Sequence, residues 1–195
     1  CIRDRYKYPS LDVRPYFKRN YLYGEAMTHI LGYVGRINDR DVERLKKEEK
    51  FANYSGSTDM GKLGIERYYE EQLHGTTGFE EVEINNRGKV IRKLREQPAT
   101  AGKSIHLTID FTLQRYIMSL LSGQKGAVVV LDPKDNSVLA MVSTPSYDNN
   151  LFVDGISSSD YKRLLEDPTR PLYSRATQGV YPVSYTHLRA HETGA

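Results

Sequence analysis

Apolar positions along this chain fall into short periodic runs divided by charged and glycine-containing stretches. From Leu11 to Tyr23, Val13, Tyr16, Tyr21 and Tyr23 stand among Arg14, Lys18 and Arg19, a pattern that predicts an extended strand. Pro15 has no N–H for a ladder bond, so that strand belongs at an edge or a bulge. The spacing changes at Glu25, where Met27, Ile30, Leu31 and Val34 recur at three and four residues and predict a helix of about two to three turns, ended by Gly35. Asn38 or Asp39 can cap a second helix over Asp41 to Glu49, whose narrow apolar stripe of Val42 and Leu45 suits a surface position. Ser55 to Met60 reads as a polar loop. Gly64 to Leu73 reads as a helix with Ile65, Tyr68, Tyr69 and Leu73 on one side, stopped by Gly75 and Gly78. Phe79 to Leu94 alternates on either side of Asn86-Arg87-Gly88, as a hairpin does.

Gln97 to Lys103, with Pro98 and Gly102 in small polar company, is the clearest linker and the expected domain boundary. Beyond it, Ser104 to Thr108 reads as a strand and Asp110 as the cap of a helix with Leu113, Ile117, Leu120 and Leu121 on one face, ended by Gly123. Ala127 to Leu131 and Val138 to Val142 are nearly continuous apolar runs joined by Asp132-Pro133-Lys134-Asp135-Asn136, which has the chemistry of a tight turn. Strands so poor in polar alternation are patterned for cover on both faces. A capped helix over Ser157 to Leu165 and an irregular stretch opened by Pro168 and Pro171 complete the pattern. The expected class is α+β, a mixed domain followed by a helix packed on an antiparallel hairpin.

Composition narrows the partners more than the fold. With 195 residues, 38% hydrophobic, 27% charged and a net charge of +3, the chain has room for one ordinary domain or two small ones. Basic and acidic residues interleave, as in Arg40-Asp41-Val42-Glu43-Arg44, so they read as a solvated face, and no nucleic-acid partner is expected. No run approaches the roughly 20 apolar residues that span a bilayer, which puts any membrane anchor outside this chain. Cys1 is the single cysteine, so an internal disulfide is excluded. The N-terminus is a cut or a mature end; a mature lipoprotein also begins with cysteine, but no export segment precedes this one.

Candidate chemistry is sparse. The carboxylate pairs Glu48-Glu49, Glu70-Glu71 and Glu80-Glu81 are adjacent, and neighbours on a helix or strand point apart. His187 and His191 have a helical metal spacing, but Glu192 follows the second histidine, unlike the H-E-x-x-H arrangement. His29, His74 and His106 are isolated and suit packing or the surface. A serine with a lysine one helical turn on can be deprotonated at neutral pH. Ser122/Lys125 and Ser159/Lys162 have that spacing, but Gly123 breaks the first and the second lies in a run of helix caps. From pattern alone, no catalytic residue, cofactor site or metal site is assigned.

Three strings carry more. ANYSGSTDMGKLGIERYYEEQLHGTTGFEEVEINNRGKVIR, GAVVVLDPKDNSVLAMVSTPSYDNNLFVDGISSSDYKRLLEDP and RATQGVYP closely resemble the penicillin-binding protein 2 family, class B transpeptidases of rod-shaped Gram-negative bacteria, and the likeness runs from about Tyr6 to Pro182. The resemblance implies a pedestal, or dimerisation, domain over residues 1–100 and the start of a penicillin-binding transpeptidase domain over 101–182. It further implies a serine enzyme that cross-links peptidoglycan stem peptides and is acylated by β-lactams. The expected setting is the periplasmic side of the inner membrane, beside a membrane-embedded glycan polymerase and elongation-complex proteins. No cofactor is implied. An alternative is a non-catalytic binding or scaffold module acting through the pedestal.

In the family, the segment matching Val180-Tyr181-Pro182 continues Pro-Gly-Ser-Thr-Val-Lys, which supplies the nucleophile and its lysine. Here Tyr185 and Leu188 occupy those two positions, and no lysine follows. The catalytic pair expected just after Pro182 is therefore missing, and this chain is expected to be inactive. Residues 183–193, VSYTHLRAHET, back-translate into a string resembling a transposase-type sequencing adapter, so residues 183–195 are expected to be a non-native tail.

Overall fold

A computed structural model describes residues 18–180. Those residues form three two-stranded antiparallel sheets, each flanked or joined by short helices. The first half holds α1 (Thr28–Leu31), β1 (Val34–Arg36), α2 (Asp39–Lys47), α3 (Phe51–Tyr54), β2 (Asp59–Gly61), α4 (Gly64–Tyr68), α5 (Glu70–His74), β3 (Phe79–Ile84) and β4 (Val90–Gln97). The second holds α6 (Phe111–Leu120), β5 (Gly126–Leu131), β6 (Val138–Thr144), α7 (Ser158–Glu166) and α8 (Arg175–Gln178). This is the α+β class expected.

Local chemistry explains the elements that match expectation. Asn38 caps α2 reciprocally: its side chain accepts from Asp41 N, and the Asp41 carboxylate accepts from Asn38 N, each at 3.0 Å. Leu45 from the resulting stripe is buried with Tyr54 and Met60 in one small core. Asp110 caps α6 by accepting from Thr112 N and Leu113 N. Ile117 then packs against Ala140 and Val142 of β6 in a second core, with Leu113, Leu121, Val128 and Val130 around it. The β5–β6 turn closes as read, with Asp132 accepting from Lys134 N and Asn136 in the left-handed region at φ 59°.

Five expectations are corrected. Of the strand at Leu11 to Tyr23, residues 11–17 lie outside the described residues, and Lys18 to Tyr23 form a coil and turn rather than a strand. The helix expected from Glu25 to Val34 is a 3₁₀ turn over Gly24–Ala26 followed by α1, and Val34 begins β1. Gly32, not Gly35, ends it. At φ 74° Gly32 lies so close to α4 that a Cβ there would stand 2.0 Å from the Leu63 carbonyl oxygen. The loop at Ser55 to Met60 carries the start of β2, because Met60 is needed in the first core and pairs with Gly35. The helix at Gly64 to Leu73 is broken at Tyr69 into α4 and α5, which leaves Tyr68 82% exposed instead of packed. Ser104 to Thr108 forms no strand; Thr108 Oγ1 donates to the Val138 carbonyl and Asp110 N to the Leu139 carbonyl.

The connector is pinned rather than loose. Thr76 and Thr100 exchange backbone bonds, Lys103 N donates to the Gln72 carbonyl, and a Cβ on Gly102 would fall 1.8 Å from the Leu73 carbonyl oxygen. The hairpin β3–β4 is the contrary case: it is hydrogen-bonded along its length but every β4 residue is exposed. Its turn falls at Asn86-Arg87-Gly88 as expected and is held by Asn85, whose side chain accepts from Arg87 N and Lys89 N and whose carbonyl accepts from Gly88 N. Cover over the second sheet is uneven. Val129 and Leu131 of β5 leave about half their surface in solvent, at 47% and 51%, although their pattern suits burial on both faces.

The halves are joined by buried amides. Gln114, 1% exposed on α6, donates to the carbonyls of Ala26 and Met141 and accepts from Met141 N, all at 2.8–2.9 Å. Gln114→Leu keeps the volume but leaves three buried backbone groups unpaired, a cost of about 3 kcal/mol. Urea unfolding of the variant is expected to show that loss as a lowered midpoint with an unchanged slope.

Candidate functional site

The paired residues singled out in the sequence do not converge. Lys125 Nζ donates to the Pro168 carbonyl at 3.2 Å and Ser122 sits in the turn after α6, so the first serine–lysine spacing forms no pair. Ser159 bonds the Ser157 hydroxyl at the N-terminus of α7, while Lys162 reaches Glu166 at 3.7 Å. Both serines are capping or turn residues. The carboxylate pairs also diverge: Glu70 turns inward to accept from Gly61 N, Glu71 pairs outward with Lys50, and Glu80 pairs with Lys93. Among the described residues no group of three or more His, Cys, Asp or Glu could hold a metal ion. Cys1, His187, His191 and Glu192 lie outside the described residues.

The polar centres lie elsewhere, at the ends of the first half's strands. Glu66 is 6% exposed, takes a two-point contact from the Arg19 guanidinium at 2.9 Å, and accepts from the Tyr21 hydroxyl at 3.2 Å. The same hydroxyl accepts from Val34 N, so β1 hangs from Tyr21. Burial, reinforced by the Glu66 charge, pushes the Tyr21 phenol far above its ordinary range. Nearby, burial raises the Glu70 carboxyl against the opposing bond from Gly61 N, and burial beside Glu70 pushes Tyr54 up to about 12. Arg19, Glu66 and Glu70 line a cleft of about 1070 Å³ that also takes in Ser57 and His74. His74 stacks on Tyr54 at 4.2 Å, and its Nε2 faces the Ser57 hydroxyl at 2.8 Å. His106 is exposed.

A second concentration of bonds governs the segment that leads to the end of the described chain. Arg175 N donates to the Ser143 hydroxyl on β6, and its guanidinium reaches the carbonyls of Thr169, Arg170 and Tyr173. The Tyr173 hydroxyl donates to the Gln178 carbonyl. One arginine thus folds the loop after α7 onto β6 and aims α8. Sequence periodicity could not show this, because the acceptors of the guanidinium are main-chain carbonyls of the loop that follows the turn at Asp167.

His29 sits between these regions, at the junction of the halves. Its ring lies edge-on to Tyr147 at 5.7 Å, and its Nε2 is buried without a partner. Burial lowers its pKa, the Pro145 carbonyl opposes that, and the charge of Arg175 adds to it.

Against known proteins, residues 2–107 match the Penicillin-binding Protein dimerisation domain, and residues 126–184 match the Penicillin binding protein transpeptidase domain. The first match alone spans more than half of the chain, and the chain belongs to the penicillin-binding protein family. Within it the likeness is to the PBP2 group. The chain is 81% identical over 181 residues to the peptidoglycan D,D-transpeptidase MrdA of Haemophilus influenzae, covering 93% of this chain and 28% of that protein. MrdA of Escherichia coli K12 is 61% identical over 183 residues, covering 94% and 29%. Two solved structures share the fold. Pseudomonas aeruginosa PBP2 in complex with WCK 5153 aligns with a TM-score of 0.71 and 43% identity, covering 88% of this chain and 34% of that one. The complex of PBP2 and MreC from Helicobacter pylori gives 0.68 and 30%, covering 81% and 28%. The chain spans under a third of the length of the curated relatives it matches.

A neutral His29 has consequences for stability. The folded chain holds fewer protons at this ring than the unfolded chain does, so its share of stability is complete above the unfolded value of 6.5 and is lost as pH falls below it. Unfolding midpoints are expected to drop between pH 7 and pH 5, and His29→Gln is expected to flatten that slope in parallel denaturant titrations.

Proposed function

We propose that the chain is the pedestal and the opening of the catalytic domain of a serine D,D-transpeptidase that cross-links peptidoglycan stem peptides. The observation that carries this reading is 81% identity to MrdA along nearly the whole chain. In the parent reaction a serine hydroxyl attacks the carbonyl of the D-alanyl-D-alanine bond. Its proton passes to the paired lysine, the terminal D-alanine leaves as the amine, and the ester is then attacked by an amino group of a neighbouring strand, which frees the serine. β-Lactams acylate the same oxygen when their ring amide opens. The division at about residue 100 into pedestal and catalytic start belongs to this reading. So do a position on the periplasmic side of the inner membrane, with the anchor outside this chain, and a membrane-embedded polymerase as neighbour. Among the described residues no helix is long and apolar enough to cross a membrane. The Helicobacter pylori relative was solved with MreC, which supports an elongation-complex protein as a pedestal partner.

This chain carries the scaffold of that chemistry without its reacting atoms. Arg175, Ser143 and Tyr173 hold α8 in place, but further along the sequence Tyr185 and Leu188 stand where a hydroxyl and an amine are required. A tyrosine in place of the serine puts the oxygen several ångströms further out on a rigid ring, and leucine accepts no proton. Two outcomes are expected. A fluorescent penicillin incubated with the purified chain leaves no covalent label, whereas the gene continued as Pro-Gly-Ser-Thr-Val-Lys with the remaining domain is labelled stoichiometrically. Independent genomic reads across the codon for Pro182 leave the adapter-like codons and continue into that motif.

A further inference from the structure

The two strands of the β3–β4 ribbon bond each other along their length, yet every residue of β4 is exposed, as are Phe79 to Glu81 and Ile84 of β3. A two-stranded ribbon without cover is at best marginal in water. This one also keeps large apolar side chains in solvent where the strands meet the turn: Ile84 is 58% exposed, Val90 51% and Ile91 60%. Ile84 and Val90 are Cα partners, and a register shift beside them makes Ile91 the extra residue of a bulge, so all three stand at the end of the ribbon. Apolar residues scattered singly over a surface are ordinary, but a cluster at one exposed tip marks a contact site.

Charge is sorted along the same ribbon. In the stem, Arg92 pairs with Glu83 and Lys93 with Glu80. At the turn, Arg87 and Lys89 are exposed, and neither side chain forms an ion pair among the described residues. Their main-chain N–H groups are both held by the Asn85 side chain, so the loop that carries the two cations has a fixed shape. The run from Ile84 to Ile91 contains no Asp or Glu at all.

Cations without acidic partners, set among exposed aliphatic side chains, match the headgroup layer of an anionic bilayer, where lipid phosphates meet the cations and the aliphatic groups leave water. We propose that the tip of the β3–β4 ribbon, Ile84 to Ile91, docks on an anionic membrane surface. Arg87 and Lys89 pair with phosphate oxygens, and Ile84, Val90 and Ile91 enter the acyl boundary beneath them. A nucleic acid or an acidic protein surface satisfies the cations but leaves the aliphatic cluster in water, so the bilayer fits better. The matched charges of the stem confine the contact to the tip. Docking needs no catalytic serine, and it rests on the ribbon's own chemistry rather than on the periplasmic reading.

The chain contains no tryptophan, so Ile91→Trp carries a single fluorophore at the tip. This variant is titrated with vesicles of phosphatidylglycerol and phosphatidylcholine in equal parts, and with vesicles of phosphatidylcholine alone. The expected result is a saturable blue shift on the anionic vesicles, quenched by lipids brominated along the acyl chain, and a far weaker response to phosphatidylcholine. Flotation of the unaltered chain with the same anionic vesicles is expected to show that the indole did not create the site. Arg87→Gln with Lys89→Gln is expected to weaken that flotation about thirtyfold, roughly fivefold for each cation. Ile84→Ser with Ile91→Ser is expected to weaken it about tenfold or more. Arg40→Gln with Lys47→Gln removes the same charge from α2 and is expected to change nothing. Equal losses from the α2 pair and the tip pair, an indole that stays in water on saturating vesicles, or no binding would each overturn the proposal. So would an unaltered affinity after the serine changes, which marks a polyanion site instead of a bilayer site.

Discussion

Two side-chain amides do the work of missing strands. Gln114 pairs with both the N–H and the carbonyl of Met141, and Asn150 pairs with both the N–H and the carbonyl of Tyr21, as a neighbouring strand would. Each then places one half of the chain against the other, because Gln114 also holds the Ala26 carbonyl while Asn150 lies in the 3₁₀ turn Asn149–Phe152 that follows β6. Asn149 adds a bond to the Gly32 carbonyl, and Thr28 one to Tyr147. The two small cores centred on Leu45 and on Ile117 share no residue, and the halves meet through these directional bonds together with aromatic contacts of Tyr23 on Phe111 and Tyr33 on Phe152, at 3.9 and 4.0 Å. Such a junction tolerates little drift, since an unpaired buried carbonyl costs more than a slightly opened apolar contact.

What was legible in the sequence follows from the range of the forces involved. Caps, turns and hairpins are decided within four or five residues, and Asn38, Asp110, Asp132 and Ser157 all act where the pattern puts them. Periodicity failed where tertiary contacts outvoted it. Met27 to Val34 has a helical stripe, but Gly32 must pass within contact of Leu63, and the chain turns there to begin β1. Tyr68 fits the stripe of its helix and is exposed because the break at Tyr69 rotates it away. The polar centres were hidden for a related reason. Arg19, Tyr21 and Glu66 are over forty residues apart in sequence at their widest, and nothing local in any of them announces a partner. Neither serine–lysine spacing forms a pair in the structure, and the family likeness rests on long strings rather than on any reacting group.

The placement of Arg175 links these levels. Its guanidinium gathers three carbonyls of one loop, and its main-chain N–H reaches across to β6, so the strand carrying the second core also sets the direction of α8. The junction of the halves also seats His29, whose ring lies edge-on to Tyr147 at 5.7 Å.

Gly102 lies flush against the Leu73 carbonyl, and the strip around it is bridged at Thr76 and Thr100. A proteolytic enzyme choosing targets by composition would attack this polar, proline-containing stretch first, yet cleavage requires some ten residues to be drawn out into the protease cleft. The bonds to Gln72 and Thr76 resist that extraction, whereas the tip of the β3–β4 ribbon around Arg87 offers an unpacked loop with a basic residue. Limited trypsinolysis would therefore cut the ribbon first, and the two pieces would stay together through the β3–β4 ladder and the bonds of the junction rather than through the chain.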